Sequence, residues 1–269
     1  MSDRVSVDLH GDDLHSALQA AGAINKHRVQ IKIDTTGDEA ACQVAALNPS
    51  STLIATGPVP IRAPSTANAV ETTVAVDFGS QANADVGDVD WFEMLCSALD
   101  DEWCELRIDR DQDEQTTVTL CRDGDAPDDE RWGFVFETAP APDMPTLPNV
   151  DHTQHIEADG TRARGVLYGL ARESDDGIVF QTEADSAAFT ASSYEGAGDI
   201  ELLIGHRTRG EGAESAVFGC DFMQTIAEAS PAGETWRFHI RDEFPMFIQV
   251  GDVTWAIAPQ IKGLGGRDD

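Results

Sequence analysis

Asp221-Phe-Met-Gln-Thr-Ile-Ala-Glu-Ala-Ser230, running on into Trp236-Arg-Phe-His-Ile240, repeats the plan of Asp90-Trp-Phe-Glu-Met-Leu-Cys-Ser-Ala-Leu99, which runs on into Trp103-Cys-Glu-Leu-Arg-Ile108. The two stretches start about half of the 269-residue chain apart. In the first, Phe92, Leu95, Cys96 and Leu99 recur at i, i+3, i+4 and i+7, one apolar stripe of a helix. In the second, Phe222, Met223, Ile226 and Ala227 share a face in the same way. Each helix is followed by an alternating, Trp-led strand. Few residues are identical, but the order of elements and their apolar faces agree, which predicts an internal duplication.

Working outward, each half carries the same series. In the first, Val5, Val7 and Leu9 alternate with polar residues and predict a half-buried strand. Gly11-Asp-Asp opens a helix with Leu14, Ala17, Leu18 and Ala21 at helical spacing and acidic residues in its first turn. Strands are expected over Val29–Ile33, Gln43–Leu47, Leu53–Thr56 and Val70–Phe78, with the Pro-containing stretch Gly57–Pro64 as a separator. After the second helix, strands are read at Cys104–Asp109, Thr117–Cys121 and Trp132–Glu137. The second half repeats this with a strand at His152–Ala158, a helix over Asp159–Glu173, and strands at Gly177–Thr182, Ala187–Ser192, Ile200–Ile204 and Ala216–Phe218. Its late helix, Asp221–Ser230, precedes strands at Thr235–Arg241, Pro245–Val250 and Thr254–Ala258. Between the halves, Thr138-Ala-Pro-Ala-Pro-Asp-Met-Pro-Thr-Leu-Pro-Asn149 holds four prolines, which remove backbone donors and favour an extended, semi-rigid linker. The expected organisation is an N-terminal domain over 1–137, a connecting loop over 138–150, a C-terminal domain over 151–262 and a flexible tail over 263–269.

Composition is that of a folded protein: 41% hydrophobic and 25% charged. Asp and Glu number 49 against 18 Lys and Arg, a formal charge of −31, and the carboxylates are dispersed along the chain. Such a surface repels itself in dilute salt and is screened in concentrated salt, where the Debye length falls to about 3 Å near 1 M. It reads as a salt-adapted, solvated surface, with an acidic mimic of nucleic acid as the alternative. No apolar run reaches the ~18–20 residues of a membrane span, and Met1-Ser-Asp-Arg-Val enters a strand pattern without the apolar core of a signal peptide. An intracellular protein of a high-salt cytoplasm is expected, with no membrane partner. Cys42, Cys96, Cys104, Cys121 and Cys220 form no CxxC pair, so buried free thiols are expected and no metal site.

Several motifs carry a resemblance to a known family. Cys220-Asp-Phe-Met-Gln-Thr-Ile-Ala-Glu-Ala229 is similar to the last helix of sliding clamps of the proliferating-cell nuclear antigen (PCNA) type. Phe244-Pro-Met-Phe-Ile-Gln-Val250 resembles the strand that follows, and Trp255-Ala-Ile-Ala-Pro-Gln-Ile261 the terminal LAP(K/R)I signature, with Gln260 in place of the usual basic residue. Met144-Pro-Thr-Leu-Pro148 resembles the interdomain connecting loop, and Ala46-Leu-Asn-Pro-Ser50 the loop after the third strand. The likeness is to acidic clamps of halophilic archaea or their viruses, accessory paralogues included.

The resemblance implies an α+β fold of two tandem clamp domains, antiparallel sheets outside and helices lining a ring. It implies a homotrimer that encircles duplex DNA, contacts it without sequence preference, and tethers DNA polymerase, the clamp loader and other enzymes through PIP-box peptides. No cofactor is implied. On the helix over 159–173, Arg164, Tyr168 and Arg172 stand at i, i+4 and i+8 opposite the apolar Ala163, Val166, Leu167 and Leu170, with Arg162 close by. These residues suit phosphate contact, or are ordinary solvated side chains. Lys26 and Arg28 follow the first helix. The other helices depart from the family: Asp13, His15, Glu93, Asp100, Gln224 and Glu228 stand where cations are expected. The implied peptide pocket takes Leu47, Ile54, Met144, Leu147, Pro245, Ala258, Pro259 and Ile261, with core packing as the alternative for Leu47 and Ile54. Edge-strand pairing between subunits would join Trp132, Phe134 and Phe136 of one copy to Ile200, Leu202 and Ile204 of another, unless the first strand is internal.

Enzyme signatures are missing. The seven histidines make no HExxH, and GxGxxG, GxxxxGK[ST] and GxSxG do not occur. Three readings stand at this point: a processivity clamp, which is not an enzyme; a clamp-like adaptor or decoy that binds PIP-box partners without encircling DNA; and a carboxylate-dependent enzyme on an unrelated duplicated fold.

Overall fold

The structure is a computed structural model. It describes residues 3–36, 40–64, 70–78, 91–99, 102–110, 116–122, 132–139, 143–174, 177–194 and 201–260. The chain divides into two compact units, Met1–Asn48 with Ile54–Thr146, and Pro49–Leu53 with Leu147–Asp269.

The first unit runs β1 (Asp3–His10), α1 (Gly11–Asn25), β2 (Val29–Asp34), β3 (Ala41–Leu47), β4 (Leu53–Val59), β5 (Ile61–Pro64), β6 (Glu71–Val76), α2 (Trp91–Ala98), β7 (Trp103–Arg110), β8 (Thr116–Arg122) and β9 (Trp132–Ala139). All pairings are antiparallel. One series is β6-β2-β3-β4 and the other β5-β1-β7-β8-β9. The last two residues of β9, Thr138 and Ala139, return to Val76 and Ala75 of β6 and close the circuit. Period-2 alternation sets the core: Val5, Val7 and Leu9 of β1 face Leu106 and Ile108 of β7, and Leu14, Leu18 and Ala21 of α1 pack onto them.

The stretch Gly57–Pro64, expected to separate elements, is strand for most of its length. Pro58 lies opposite Gln43 in the β3–β4 pair, and Pro64 lies opposite Val7 in the β1–β5 pair. A proline's fixed φ is compatible with extended chain and costs one donor, so prolines persist where a ladder bond is not required. Pro60 falls between β4 and β5, where the chain leaves β3 and joins β1.

The second unit runs β10 (Gln154–Asp159), α3 (Gly160–Glu173), β11 (Ile178–Thr182), β12 (Ala188–Ser193), β13 (Glu201–Arg209), β14 (Glu214–Phe218), α4 (Cys220–Ala229), β15 (Thr235–Ile240), β16 (Met246–Val250) and β17 (Val253–Ile257). Its order is β14-β11-β12-β13-β10-β15-β16-β17, again antiparallel. This is the order of the first unit, with β13 doing in one strand what β4 and β5 do in two. Its first residues pair with β12, its last with β10, and the register shifts between. The closure is repeated too: the Gln260 N–H donates to the Val217 carbonyl on β14 at 2.8 Å. The shared pairing order is the structural form of the duplication read in the sequence.

Trp236, Phe238, Phe180, Phe189 and Phe218 fill the core of the second unit. Phe180 lies 5.7 Å from Phe189 and 5.8 Å from Phe218 between ring centroids, and Phe189 lies 5.2 Å from Phe238. Such contacts contribute about 0.5–1.5 kcal/mol per pair beyond area burial. Among the described residues no helix is long and apolar enough to cross a membrane.

Candidate functional site

Helix α3 starts at a strong signal. The Asp159 carboxylate, in extended backbone, accepts from the Arg162 N–H at 2.9 Å and caps the helix, an interaction of about 1 kcal/mol. Gly160, Ala163, Leu167, Leu170 and Ala171 are buried, and the helix packs against α4 and the sheet. Val166, expected in the core stripe, is only partly buried. The opposite face is as expected: Arg162, Arg164, Tyr168 and Arg172 are all exposed, and the Arg172 guanidinium lies 5.7 Å from the Tyr168 ring centroid. Among the described residues none of these three arginines forms an ion pair. In a chain with so many carboxylates, that leaves a concentrated positive stripe. Lys26, the C-cap of α1, is partly buried and Arg28 is exposed; both belong to the first unit. The exposed faces of the other helices carry Asp12, Glu93, Asp221 and Glu228. Asp100 lies outside the described residues.

The residues expected in a peptide pocket are partly exposed wherever they are described, and none belongs to the buried core. In the first unit, Leu47 and Ile54 face each other across the β3–β4 pair, and Met144 stands in the linker. In the second unit, Leu147 begins the longer segment, and the Ala258 N–H donates at 2.9 Å to the carbonyl of Thr52, which lies in the short segment Pro49–Leu53 that clusters with this unit. Ile261 lies outside the described residues. Pro259 lines a cleft of about 500 Å³ with Ser215, Ala216, Val217, Asp242, Glu243 and Gln260. Pro245 follows the Asp242–Phe244 turn that walls this cleft, and its carbonyl bonds the His152 ring at 2.8 Å. Sequence reading missed Ala216, Val217, Asp242 and Glu243 as cleft residues. The one available signal was the turn placed directly before Pro245.

The side chains expected at a subunit edge divide. Phe134, Phe136 and Ile204 are buried inside their own units, Phe136 against Phe78 at 4.7 Å between centroids. Trp132 packs partly against the same core and Leu202 is partly exposed; Ile200 lies outside the described residues. Because strand side chains alternate, the outward positions are the intervening ones: Val135 is 58% exposed and Leu203 49%. Among the described residues, Glu201–Ile204 have a partner strand only on the β12 side. Beside them Leu203 and Ile204 join Asp159, Arg162 and His206 around a hollow of about 370 Å³.

A further cluster went unread because His239 stands far along the sequence from His152 and His155. His239 Nδ1 lies 2.7 Å from His155 Nδ1, and the His152 ring lies 6.0 Å from that of His239. Burial, then the positive charge of His155, His152 and Arg237, pushes His239 down to about 4. His155 is lowered by burial, then by Arg209 and His152, with Asp151 opposing. In the first unit, burial pushes the Glu105 carboxyl up, but the Ser6 hydroxyl and the Arg107 guanidinium, at 2.7 Å, outweigh it and leave it below the usual carboxylate range. Burial, then Cys104, raises the Cys42 thiol to about 12, so it stays protonated and inert.

No family model and no curated protein matches the sequence. Solved structures do match, along nearly the whole chain. PCNA from Thermococcus kodakaraensis superposes with a TM-score of 0.69 at 14% identity, covering 95% of this chain and 100% of that one. A. fulgidus PCNA, solved with the C-terminal region of FEN-1, gives 0.67 at 14% identity, covering 96% and 99%. The PCNA2–PCNA3 complex of Sulfolobus tokodaii gives 0.62 at 18% identity, covering 96% and 99%. The duplicated α+β chain has the PCNA sliding-clamp fold.

Proposed function

We propose that the chain is a subunit of a sliding clamp, a non-enzymatic ring that encircles duplex DNA and tethers replication and repair enzymes to it. The observation that carries this reading is the clamp fold itself, matched over at least 95% of the chain. The exposed Arg162, Arg164, Tyr168 and Arg172 on α3 support it, since a sliding ring needs only sequence-independent contact with phosphates. The ring is a homotrimer, closed where the β9 and β13 regions of neighbouring copies meet. Outward-facing Val135 and Leu203 favour that contact. The DNA polymerase, the clamp loader and other partners dock through PIP-box peptides on the surface of the second unit that includes Pro259, Ala258 and Leu147. In support, the A. fulgidus PCNA neighbour is bound to the C-terminal region of FEN-1. The acidic surface fits work in a high-salt cytoplasm.

The second reading, an adaptor that binds such peptides without encircling DNA, is favoured by the carboxylates exposed on α1, α2 and α4. Two measurements separate the readings. Mass in molar salt is that of three chains for the ring. With a clamp loader and ATP, the ring is retained on nicked circular DNA and lost when the circle is linearised. Equal retention on both forms, or on neither, rules out encirclement and leaves the adaptor.

A further inference from the structure

His155 and His239 lie opposite each other on the antiparallel pair β10–β15, and their rings meet nitrogen to nitrogen. The Nδ1 atoms are 2.7 Å apart, the ring centroids 4.7 Å apart, and the ring planes stand at 86° to one another. Both rings are half-buried, and each is carried by a strand rather than a loop. His152 stands 6.0 Å from His239, ring to ring, with its Nε2 on the Pro245 carbonyl at 2.8 Å and its ring 4.5 Å from that of Phe247. It flanks the pair and walls it. The charges around the pair are Arg209, Arg237 and Asp151, and Arg237 is itself held by Glu157 at 3.6 Å.

Two imidazole nitrogens facing each other at this separation can grip a metal ion. Nitrogens bound at about 2.0 Å are about 2.8 Å apart when they meet the ion at a right angle, and about 3.3 Å apart at the tetrahedral angle. The observed 2.7 Å fits the right angle. Right-angled nitrogen donors suit Cu2+ and Ni2+, whereas Zn2+ favours the tetrahedron and Mg2+ and Ca2+ take oxygen. The geometry points to a site for Cu2+ or Ni2+ between His155 and His239, a clip that ties β10 to β15 in the second unit. On binding, the ring that carries the shared hydrogen gives it up at Nδ1 and takes one from water at Nε2. Both Nδ1 lone pairs then reach the ion, and the neutral pair releases no net proton. Among the described residues no third His, Cys, Asp or Glu is placed to complete the set, so water fills the remaining positions.

The test titrates the full chain with Ni2+ and, separately, with Zn2+ by calorimetry at about pH 7.5, where imidazole is neutral. About 1 M KCl and excess Mg2+ screen and occupy the dispersed carboxylates. Wild type takes one Ni2+ per chain and holds it more tightly than Zn2+. H155Q and H239Q, each left with a single donor, bind Ni2+ about tenfold or more weakly. H206Q, which removes an exposed histidine of β13, and C121S, which removes the partly exposed thiol, bind it as wild type does. Ni2+ also raises the unfolding midpoint of wild type and leaves those of H155Q and H239Q in place. A wild type that takes no Ni2+, or equal affinity in all the proteins, overturns the inference. So does a loss shared by H206Q or C121S, and so does Zn2+ bound more tightly than Ni2+. If a glutamine variant does not fold, Cu2+ on the wild type decides alone. Its electron paramagnetic resonance spectrum shows coupling to two nitrogens; coupling to one or none overturns the site.

Discussion

His155 and His239 face each other across strands β10 and β15, their Nδ1 atoms 2.7 Å apart. That separation accommodates one shared hydrogen and not two, so both rings cannot be protonated in place. His152, Arg209 and Arg237 add positive charge nearby and Asp151 opposes it. The folded state holds His239 down to about 4 against an ordinary 6.5. As pH falls, the unfolded chain takes up this proton near 6.5 and the folded chain only near 4. Stability from this group is therefore complete above about 6.5 and lost on the way down to 4. His239→Gln should lose about 1–2 kcal/mol less than wild type between pH 7 and 4.5, allowing for the ring's partial exposure. Urea unfolding at stepped pH measures the difference; parallel curves for the two proteins refute it.

Two glycines should respond in opposite directions to alanine. A Cβ on Gly205, where β13 changes partner, would lie 2.3 Å from the Glu157 carbonyl oxygen and 2.8 Å from the Ala158 side chain. Main chain on the neighbouring strand cannot step aside, so Gly205→Ala should cost about 2–4 kcal/mol. A Cβ on Gly165, on the exposed face of α3, meets nothing within 4 Å. Gly165→Ala should stabilise by about 0.5–1 kcal/mol through helix propensity alone. Denaturation midpoints of the pair check both signs.

Arg164→Glu with Arg172→Glu reverses two unpaired charges on one helix face. If that face meets phosphates, the salt dependence of DNA binding should become shallower by about two counterions and retention on circular DNA should collapse. Unchanged retention would mean that α3 does not face DNA. Tyr168→Ala, on the same stripe, should have a smaller effect, since it removes no charge.

Phe180 touches Phe189, Phe218 and Phe238 in the core of the second unit. Phe180→Ala should cost about 3–5 kcal/mol in that unit. Thermal unfolding followed in KCl from 0.1 to 2 M adds a check on the surface: at a net charge of −31, the midpoint should climb with salt as self-repulsion is screened. A midpoint indifferent to KCl would show that the carboxylates are not a burden in dilute salt.

Much of the architecture could be read in the sequence because periodicity is a local property. The stripe Leu95–Cys96–Leu99 and its counterpart Met223–Ile226–Ala227 announced two helices, and the alternation of β1 and β2 announced strands. What escaped reading depends on partners distant along the chain. Gly57–Pro64 looked like punctuation because prolines do, yet extended chain suits them at places where the ladder spares a donor. On β9 the aromatic residues drew attention as edge contacts; alternation instead sends Phe134 and Phe136 inward, and Val135 is the residue left outside. On α3 the exposed arginine stripe followed from helical spacing alone. The cleft did not, because Val217, Asp242 and Pro259 come from three separate segments, and neither did His155 with His239, 84 residues apart.

The bond from Gln260 to Val217 also sets a clock on synthesis. While the ribosome is still making β16 and β17, strand β14 lacks the neighbour that finishes its circuit. The first unit meets the same condition once Thr138 and Ala139 have emerged, little more than halfway through the chain. The first unit can therefore be complete while most of the second is still unmade. A nascent chain stalled shortly before residue 260 clears the tunnel should hold one protease-resistant unit and one that is still open to cleavage.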